Sequence, residues 1–438
     1  MRETALDIVR RLQAAGHQAC WVGGCVRDML LGQEPRDYDI ATSARPAQIE
    51  ALFRHTVPVG RKFGVILVVA GDHSFQVATF RTEGPYSDGR RPDSVEFADA
   101  RADAGRRDFT VNGLVYDPVA ERLFDWVEGK ADLDARRVRT IGDPRARFGE
   151  DHLRLLRAVR FAAQLGFEIE RATFDALREM APSIRGIAAE RVRDELLRLV
   201  QAPHASRGLL LLESSGLLAQ LLPELQATVT CDQSPEFHPE GTVFSHLRRM
   251  LDHLVIGGSP VLAWSVLLHD IAKPVTSTRE TGTGRIRFPE HERIGAEMAG
   301  AILQRLRFPR RELEEVVACV RHHMQFKDAP HMRKATLRRM LLRPTFEIEL
   351  ELHRLDCLGS HGKMEVYDFL LKQWDALRRQ PGLVPPLLSG NDLMALGVPP
   401  GPRLGALLRS LRDRQLQDEL RTPEEARAWV ARHLETST

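Results

Sequence analysis

The chain of 438 residues is 43% apolar and 28% charged and carries a net charge of +2. That balance suits a globular protein of several domains and excludes a disordered or collagen-like chain. No apolar run approaches the ~20 residues of a membrane span, and any nucleic-acid contact must come from local basic patches.

The opening segment, MRETALDIVRRLQAAG, reads as an amphipathic helix and not as a signal peptide, because it lacks an apolar core. QACWVGG then reads as a strand, CVRDMLLG as a helix closed by Gly32, and DYDIAT as a second strand. ARPAQIEALF follows as a helix, and HTVPVG, VILVVA and SFQVATF as strands separated by turns. Together these predict an α/β unit on a mixed sheet. From about residue 148 the pattern turns helical. A Pro-containing loop near 228–242 and the break RRQPGLVPPLLSG at 378–390 mark boundaries. The predicted parts are an α/β head over 1–147, a helical neck over 148–227, a helical body over 228–380 and a helical tail over 381–438. Cys20, Cys25, Cys231, Cys319 and Cys357 form no CxxC pair. Their scatter points to reduced thiols and a cytoplasmic protein.

The segment GGCVRDMLLGQEPRDYDIA carries the first candidate site. Gly23 and Gly24 end a strand and open a helix, where backbone N–H groups can approach a phosphate. Arg27 in the first turn offers the same phosphate a forked donor. Asp37 and Asp39, two apart on the next strand, put both carboxylates on one face. Such a pair beside a phosphate cradle suits Mg²⁺, which activates an attacking hydroxyl and supports a leaving pyrophosphate. An Asp-x-Asp alone recurs by chance. The Gly-Gly turn and Arg27 at this spacing give it meaning.

The segment resembles the signature of the nucleotidyltransferase superfamily related to DNA polymerase β, and more closely that of bacterial class II tRNA nucleotidyltransferases. VGRKFGVILVV, RTEGPYSDGRRPDSVEFA, RRDFTVNGLVYD, EDHLRLLRAVRFAAQLGF and RVRDELLRLV are similar to that family's later segments, in order. LSGNDLMALGVPPGPRLGALL looks like its C-terminal helices. The resemblance implies a polymerase β-like head that adds CMP and AMP, from CTP and ATP, to the tRNA 3′ end. It implies Mg²⁺ at Asp37 and Asp39. It also implies a nucleotide-binding motif at Arg106, Arg107, Asp108 and Asn112, in which the Arg before Asp holds triphosphate or sugar. One departure is Gln76, which stands where many relatives carry a Glu beside the active site. The loop 81–98 is a candidate lever for changing from C to A, with Gly84, Gly89 and Pro92 as bend points and Arg90, Arg91 and Asp93 as contacts. Its length argues against a CC-only enzyme. Arg61-Lys62-Phe63-Gly64-Val65 stands where poly(A)-polymerase relatives read Arg-Phe-Arg, which favours the CCA type. An enzyme adding only the terminal A stays open.

Read as one helix, the stretch after Glu150 places Asp151, Arg154, Arg157 and Arg160 on a stripe that drifts by about 60° per step. Asp151 and Arg154 can then face a base together, while Arg157 and Arg160 reach triphosphate or brace the helix. Asp offers only acceptors and Arg only donors. Cytosine and adenine each present an amino donor beside a ring-nitrogen acceptor. Uracil and guanine put a carbonyl where the amino group would be. An Asp–Arg pair therefore accepts C and A and repels U and G.

The helical body holds a second candidate site. His269-Asp270, in the apolar SVLLHDIAKP, can bind a metal from one turn. His246, His291, His322, His323 and Asp356 extend the set. Imidazole and carboxylate ligands suit Mn, Fe, Co, Ni or Zn, and a bridging hydroxide would attack a phosphoester. The order resembles HD-domain metal-dependent phosphohydrolases. Some CCA-adding relatives carry such a domain acting on 2′,3′-cyclic phosphate and phosphate ends. A metal-free HD fold, a phosphohydrolase whose head only binds RNA, and a regulatory nucleotide-binding protein are the rival readings. The expected partners are tRNA, CTP and ATP, with no membrane and no protein partner evident.

Overall fold

A computed structural model of the chain describes residues 1–84, 94–236, 238–379 and 385–435. The chain divides into two compact units. The first comprises 1–227, 255–257 and 305–308, and the second comprises 228–254, 258–304 and 309–438.

The first unit is built on a seven-stranded mixed sheet. Its strands are β1 (Ala19–Val22), β2 (Asp39–Thr42), β3 (Thr56–Gly60), β4 (Val65–Ala70), β5 (His73–Thr79), and, after the hairpin β6 (Arg81–Glu83) and β7 (Val95–Phe97), β8 (Val115–Asp117) and β9 (Arg122–Phe124). The order is β3-β4-β5-β2-β1-β8-β9. Only β2 and β5 run parallel in it, in the register Ile40–Val77. The uninterrupted apolar run of β1 is buried along its length, as a central strand is. The sheet confirms the strands expected over 56–79. β2, however, begins at Asp39, and Asp37 lies just before it. The hairpin of β6 and β7 occupies the ends of the expected lever loop. Gly89, Arg90, Arg91, Pro92 and Asp93 lie outside the described residues.

Helix α1 (Arg2–Ala14) buries Ala5, Ile8, Val9 and Leu12, the stripe an amphipathic helix lays on a sheet. Each large aliphatic side chain so buried contributes about 1.5–3 kcal/mol. Helices α2 (Gly24–Leu30) and α3 (Pro46–Leu52) also pack on the sheet, and α4 (Ala100–Gly105) and α5 (Gly129–Asp134) follow in the chain. The chain then turns helical through α6 (Pro144–Glu150), α7 (Leu153–Leu165), α8 (Arg171–Met180), α9 (Ala189–Val200), α10 (Ala205–Ser214), α11 (Leu217–Leu221) and α12 (Pro223–Gln226). α9 and α10 pack on α7. Gly208 allows that approach, since a Cβ there would lie 2.8 Å from the Ala163 side chain.

The second unit is helical: α13 (Val243–Asp252), α14 (Pro260–Leu268), α15 (Lys273–Thr276), α16 (His291–Arg305), α17 (Arg310–His322), α18 (Lys334–Leu341), α19 (Phe346–Gly359) and α20 (Glu365–Arg378), then α21 (Gly390–Ala395), α22 (Pro402–Leu416) and α23 (Pro423–Glu435). Every residue of α14 from Val261 to Leu268 is buried, as suits a helix that is apolar all round. The last three helices close on a core of their own around Leu393, Val398, Leu411 and Val430. Among the described residues no helix is long and apolar enough to cross a membrane.

Candidate active site

The strand-to-helix turn at Gly23 sets the geometry of the first site. Gly23 has φ +77°, and a Cβ there would lie 2.9 Å from Arg107 Nη1 and 4.0 Å from Asp39 Oδ2. The missing side chain thus lets a guanidinium and a carboxylate both approach the turn. Arg107 is held from behind by Asp103, 3.1 Å away on α4. Its Nε is buried and meets no acceptor among the described residues, a donor left over for a ligand.

Asp37 is exposed and Asp39 partly buried, with Tyr38 turned into the core between them. Both carboxylates line one cleft of about 1290 Å³. Burial, and next the charge of Asp37, push the Asp39 carboxyl above its ordinary value, against the pull of Arg107. Two carboxylates that repel each other in a cleft are a fit for a divalent cation. Extending the β2–β5 register puts Gln76 beside Asp39 on the neighbouring strand. Gln76 is exposed and not among the residues lining the cleft.

The cleft is basic: ten arginines and six carboxylates line it. Its back wall is a relay of charges joining three elements. Arg27, 4% exposed, donates from Nη1 to Asn112 Oδ1 at 2.8 Å, and from Nε and Nη2 to Asp28. Asn112 Nδ2 donates to Asp108 Oδ1 at 3.1 Å, and Arg157 donates to Asp108 Oδ2 from Nε and Nη2 at 2.8 and 2.6 Å. Arg157 also approaches Glu195 of α9, which accepts from Arg160 Nε. Phe161 lies beneath all three guanidinium groups, with its centroid 3.8 Å from Arg160 and 5.3–5.4 Å from Arg157 and Arg27. Burial brings Arg160 down to about 10, against the support of Glu195.

Asp108 resists burial because Arg157 and Asn112 hold its carboxylate, far below the usual range. We expect Asp108→Ala to cost about 3–5 kcal/mol, because it strands a half-buried guanidinium and two further donors. The Asp108 contribution is complete above its unfolded value of about 4 and fades as pH falls toward the folded value. Calorimetry of wild type and variant at neutral and acid pH checks both statements. A difference below about 1 kcal/mol at neutral pH would contradict the bracing role.

The helix expected to follow Glu150 begins only at Leu153, as α7, and Asp151 lies outside it. Asp151 has φ −141° and ψ 106° and separates α6 from α7. The angular argument that put Asp151 and Arg154 on one helix stripe therefore fails at its first residue. The two side chains still line the same cleft, but each has its own partner. Asp151 Oδ2 accepts from Arg191 Nη2 at 2.6 Å, and Oδ1 from the Leu153 amide at 3.0 Å. Arg154 pairs with Glu150 and donates to Arg147 O at 3.1 Å. Arg191, Glu195 and Phe161 escaped the sequence reading. The recurrence of Arg191, Glu195 and Arg198 along one side of α9 was the available signal.

The second unit gathers a histidine cluster. His269 and Asp270 follow the end of α14 instead of lying within it. His269, His291 and His323 each place Nδ1 against the carbonyl three residues earlier, at 3.0, 2.8 and 2.6 Å. Those Nδ1–H donors leave every Nε2 as a lone pair. The Nε2 atoms of His291 and His323 then face each other at 3.2 Å. Asp270 Oδ1 lies 3.5 and 3.8 Å from them, and its Oδ2 lies 3.1 Å from His269 Nε2. His246 stands between Asp356 Oδ1 at 3.1 Å and Glu240 Oε1 at 2.8 Å. Burial would depress its pKa, but Asp356 and Glu240 raise it to about 9. Facing lone pairs beside carboxylates are a donor set for a cation. Lys273 Nζ lies beside the set as a counter-charge, 2.7 Å from Asp270 and 2.6 Å from Gln233.

His322 does not join. It turns away to Glu349, 3.1 Å from its Nδ1, and this removes it from the expected ligands. His238 and Glu240, from a loop read only as a boundary, join instead.

Residues 19–139 match the family described as Poly A polymerase head domain. Residues 166–228 match a probable RNA and SrmB-binding site of polymerase A, and 243–377 match the HD domain. An A-adding tRNA nucleotidyltransferase of Deinococcus radiodurans is 35% identical over 95% of this chain and 96% of its own. The chain belongs to the tRNA nucleotidyltransferase family. A CCA-adding enzyme of Levilactobacillus brevis is 34% identical over 98% of this chain and 96% of its own. The crystal structure of the Bacillus stearothermophilus CCA-adding enzyme in complex with CTP matches with a TM-score of 0.77 and 26% identity. That match covers 99% of this chain and 97% of the other. As a member of this family the chain is a nucleotidyltransferase enzyme with a polymerase β-like head and an HD domain. The family implies a divalent metal.

Proposed function

We propose that the protein adds CMP and AMP to the 3′ end of tRNA without a nucleic-acid template. The observation that carries this is one basic cleft holding Asp37 and Asp39 at one wall and the separately held Asp151 and Arg154 at another. The tRNA 3′-hydroxyl attacks the α-phosphorus of CTP or ATP, and pyrophosphate leaves. Asp37 and Asp39 would hold Mg²⁺, which supplies positive charge to the hydroxyl and the departing phosphates. Arg107, with its spare Nε, and the backbone at Gly23 and Gly24 receive the triphosphate. Arg27, Asn112, Asp108, Arg157 and Arg160 form the wall against which it sits. Asp151 accepts from the amino group of cytosine or adenine, and Arg154 donates to the ring nitrogen beside it.

The deciding experiment supplies tRNAs lacking the last three, two or one nucleotides with labelled CTP or ATP. Addition of both C and A supports the reading. Addition of A alone makes the protein an A-adding enzyme, as the Deinococcus relative is named. Asp151→Ala is expected to relax the preference for C and A more than it weakens triphosphate binding. Incorporation of all four nucleotides by the variant checks this, and unchanged rejection of UTP and GTP would end the base-reading role. A cytoplasmic location follows from the substrate and fits five buried, unpaired cysteines.

A second reading concerns the HD domain. The three inward Nε2 atoms around Asp270 favour a transition metal there, held by His246, His269, Asp270, His291, His323 and Asp356, and a phosphoester as its substrate. The 2′,3′-cyclic phosphate at an RNA end is the substrate to try first.

A further inference from the structure

An aspartate and an arginine three residues apart have a simple alternative to reading a base, which is to pair with each other. Such a pair would satisfy the acceptors of Asp151 with the donors of Arg154 and leave the base with neither. The structure avoids this. The backbone at Asp151 is extended, outside the helix that carries Arg154. Arg191, 40 residues later on α9, donates to both carboxylate oxygens, from Nη2 at 2.6 Å and from Nη1 at 3.3 Å. The Leu153 amide adds a third bond to the carboxylate, at Oδ1. Oδ2 has Arg191 as its donor, so a lone pair remains there for an amino group. Arg154 has its own acceptors in Glu150 and Arg147 O.

We infer that Arg191 is a positioning residue for nucleotide selection: it holds Asp151 away from Arg154 so that the carboxylate stays free to accept from the base. This rests on the base-reading role given to Asp151 above. The guanidinium is well placed for the task. It is 26% exposed and Asp151 15%, so the pair stands at the wall of the cleft and not in the core. Its planar fork fixes both oxygens at once, which an ammonium cannot do.

Without Arg191 the carboxylate turns to Arg154. The correct bases then lose their amino acceptor, and uracil and guanine lose the acceptor that repelled them. Selection should fail from both sides, whereas triphosphate contacts at Arg107 and Gly23 stay in place.

The test compares wild type, Arg191→Met and Arg191→Lys in the full chain, with kcat and KM measured for all four nucleotides on a truncated tRNA. We expect Arg191→Met to lower the ratio of correct to incorrect kcat/KM on the order of tenfold or more, with KM for CTP and ATP raised. Arg191→Lys should recover part of that ratio, since it keeps the charge but loses the fork. A merely structural role would instead lower kcat for all four nucleotides alike and leave their ratio unchanged. That outcome, in a variant with wild-type melting behaviour, overturns the proposal. A wild type that adds no nucleotide overturns the functional reading itself, and so the two failures are told apart.

Discussion

Asp39→Ala is expected to lower nucleotide addition on the order of 10³-fold or more, because a lost metal ligand removes several kcal/mol of transition-state stabilisation. Asp37→Ala should do the same. The fold should not suffer. Burial and the neighbouring Asp37 already work against the Asp39 charge. Neutralising it as Asp39→Asn should leave the melting temperature unchanged or raised, the mark of a group kept for function at the expense of stability. Single-turnover CMP incorporation beside thermal unfolding of each variant measures both. Near-normal incorporation by a folded Asp39→Ala protein would remove the carboxylate pair from the chemistry.

His269→Ala combined with Asp270→Ala should abolish hydrolysis at the HD centre and the retention of a transition metal, while CMP and AMP addition continues. The two sites lie in different compact units, and their donor sets differ. The head offers hard carboxylate oxygens, and the body offers three imidazole Nε2 atoms around Asp270. His269 and Asp270 are almost wholly buried, so the double variant can also damage the body. Asp356→Asn, at a partly exposed carboxylate beside His246, supplies the milder companion. Metal analysis of the three proteins, with an assay on RNA ending in 2′,3′-cyclic phosphate, gives the answer. A wild type with neither metal nor hydrolysis would make the HD domain structural. Loss of addition in Asp356→Asn as well would mean that the two activities are coupled.

Much of this was legible along the chain, for local reasons. Strands β1 to β5 announce themselves by apolar runs and by turns, whereas the short β8 and β9 carry too few residues to show a pattern. Gly23 is needed where a left-handed turn lets Arg107 and Asp39 approach, and a Gly-Gly before a helix signals that. Asp37 and Asp39 line one cleft, as a spacing of two predicts, even though the strand itself starts only at Asp39. The HD order was visible because a series of His and Asp in a helical block stands out by residue type alone.

What the sequence by itself determined is therefore the periodic part: a mixed-sheet head, helices after it, and the residue types that bring metal and nucleotide chemistry. Only the tertiary structure decided which charged groups meet. Gly149 and the capping type of Asp151 hint at a helix boundary, but they do not say which partner will hold the Asp151 carboxylate. The break stands where Asp151 caps the Leu153 amide and Arg191 arrives from α9 to hold it. His322 and His323 are adjacent and equivalent on paper, yet one finds Glu349 and the other turns to the centre. Glu240 and His238 looked like parts of a connecting loop until folding laid them against His246. Periodicity and turn preference act over a few residues and can be read in order. An ion pair depends on distance in space, and its partner can lie 40 residues away, where only the packed fold supplies it.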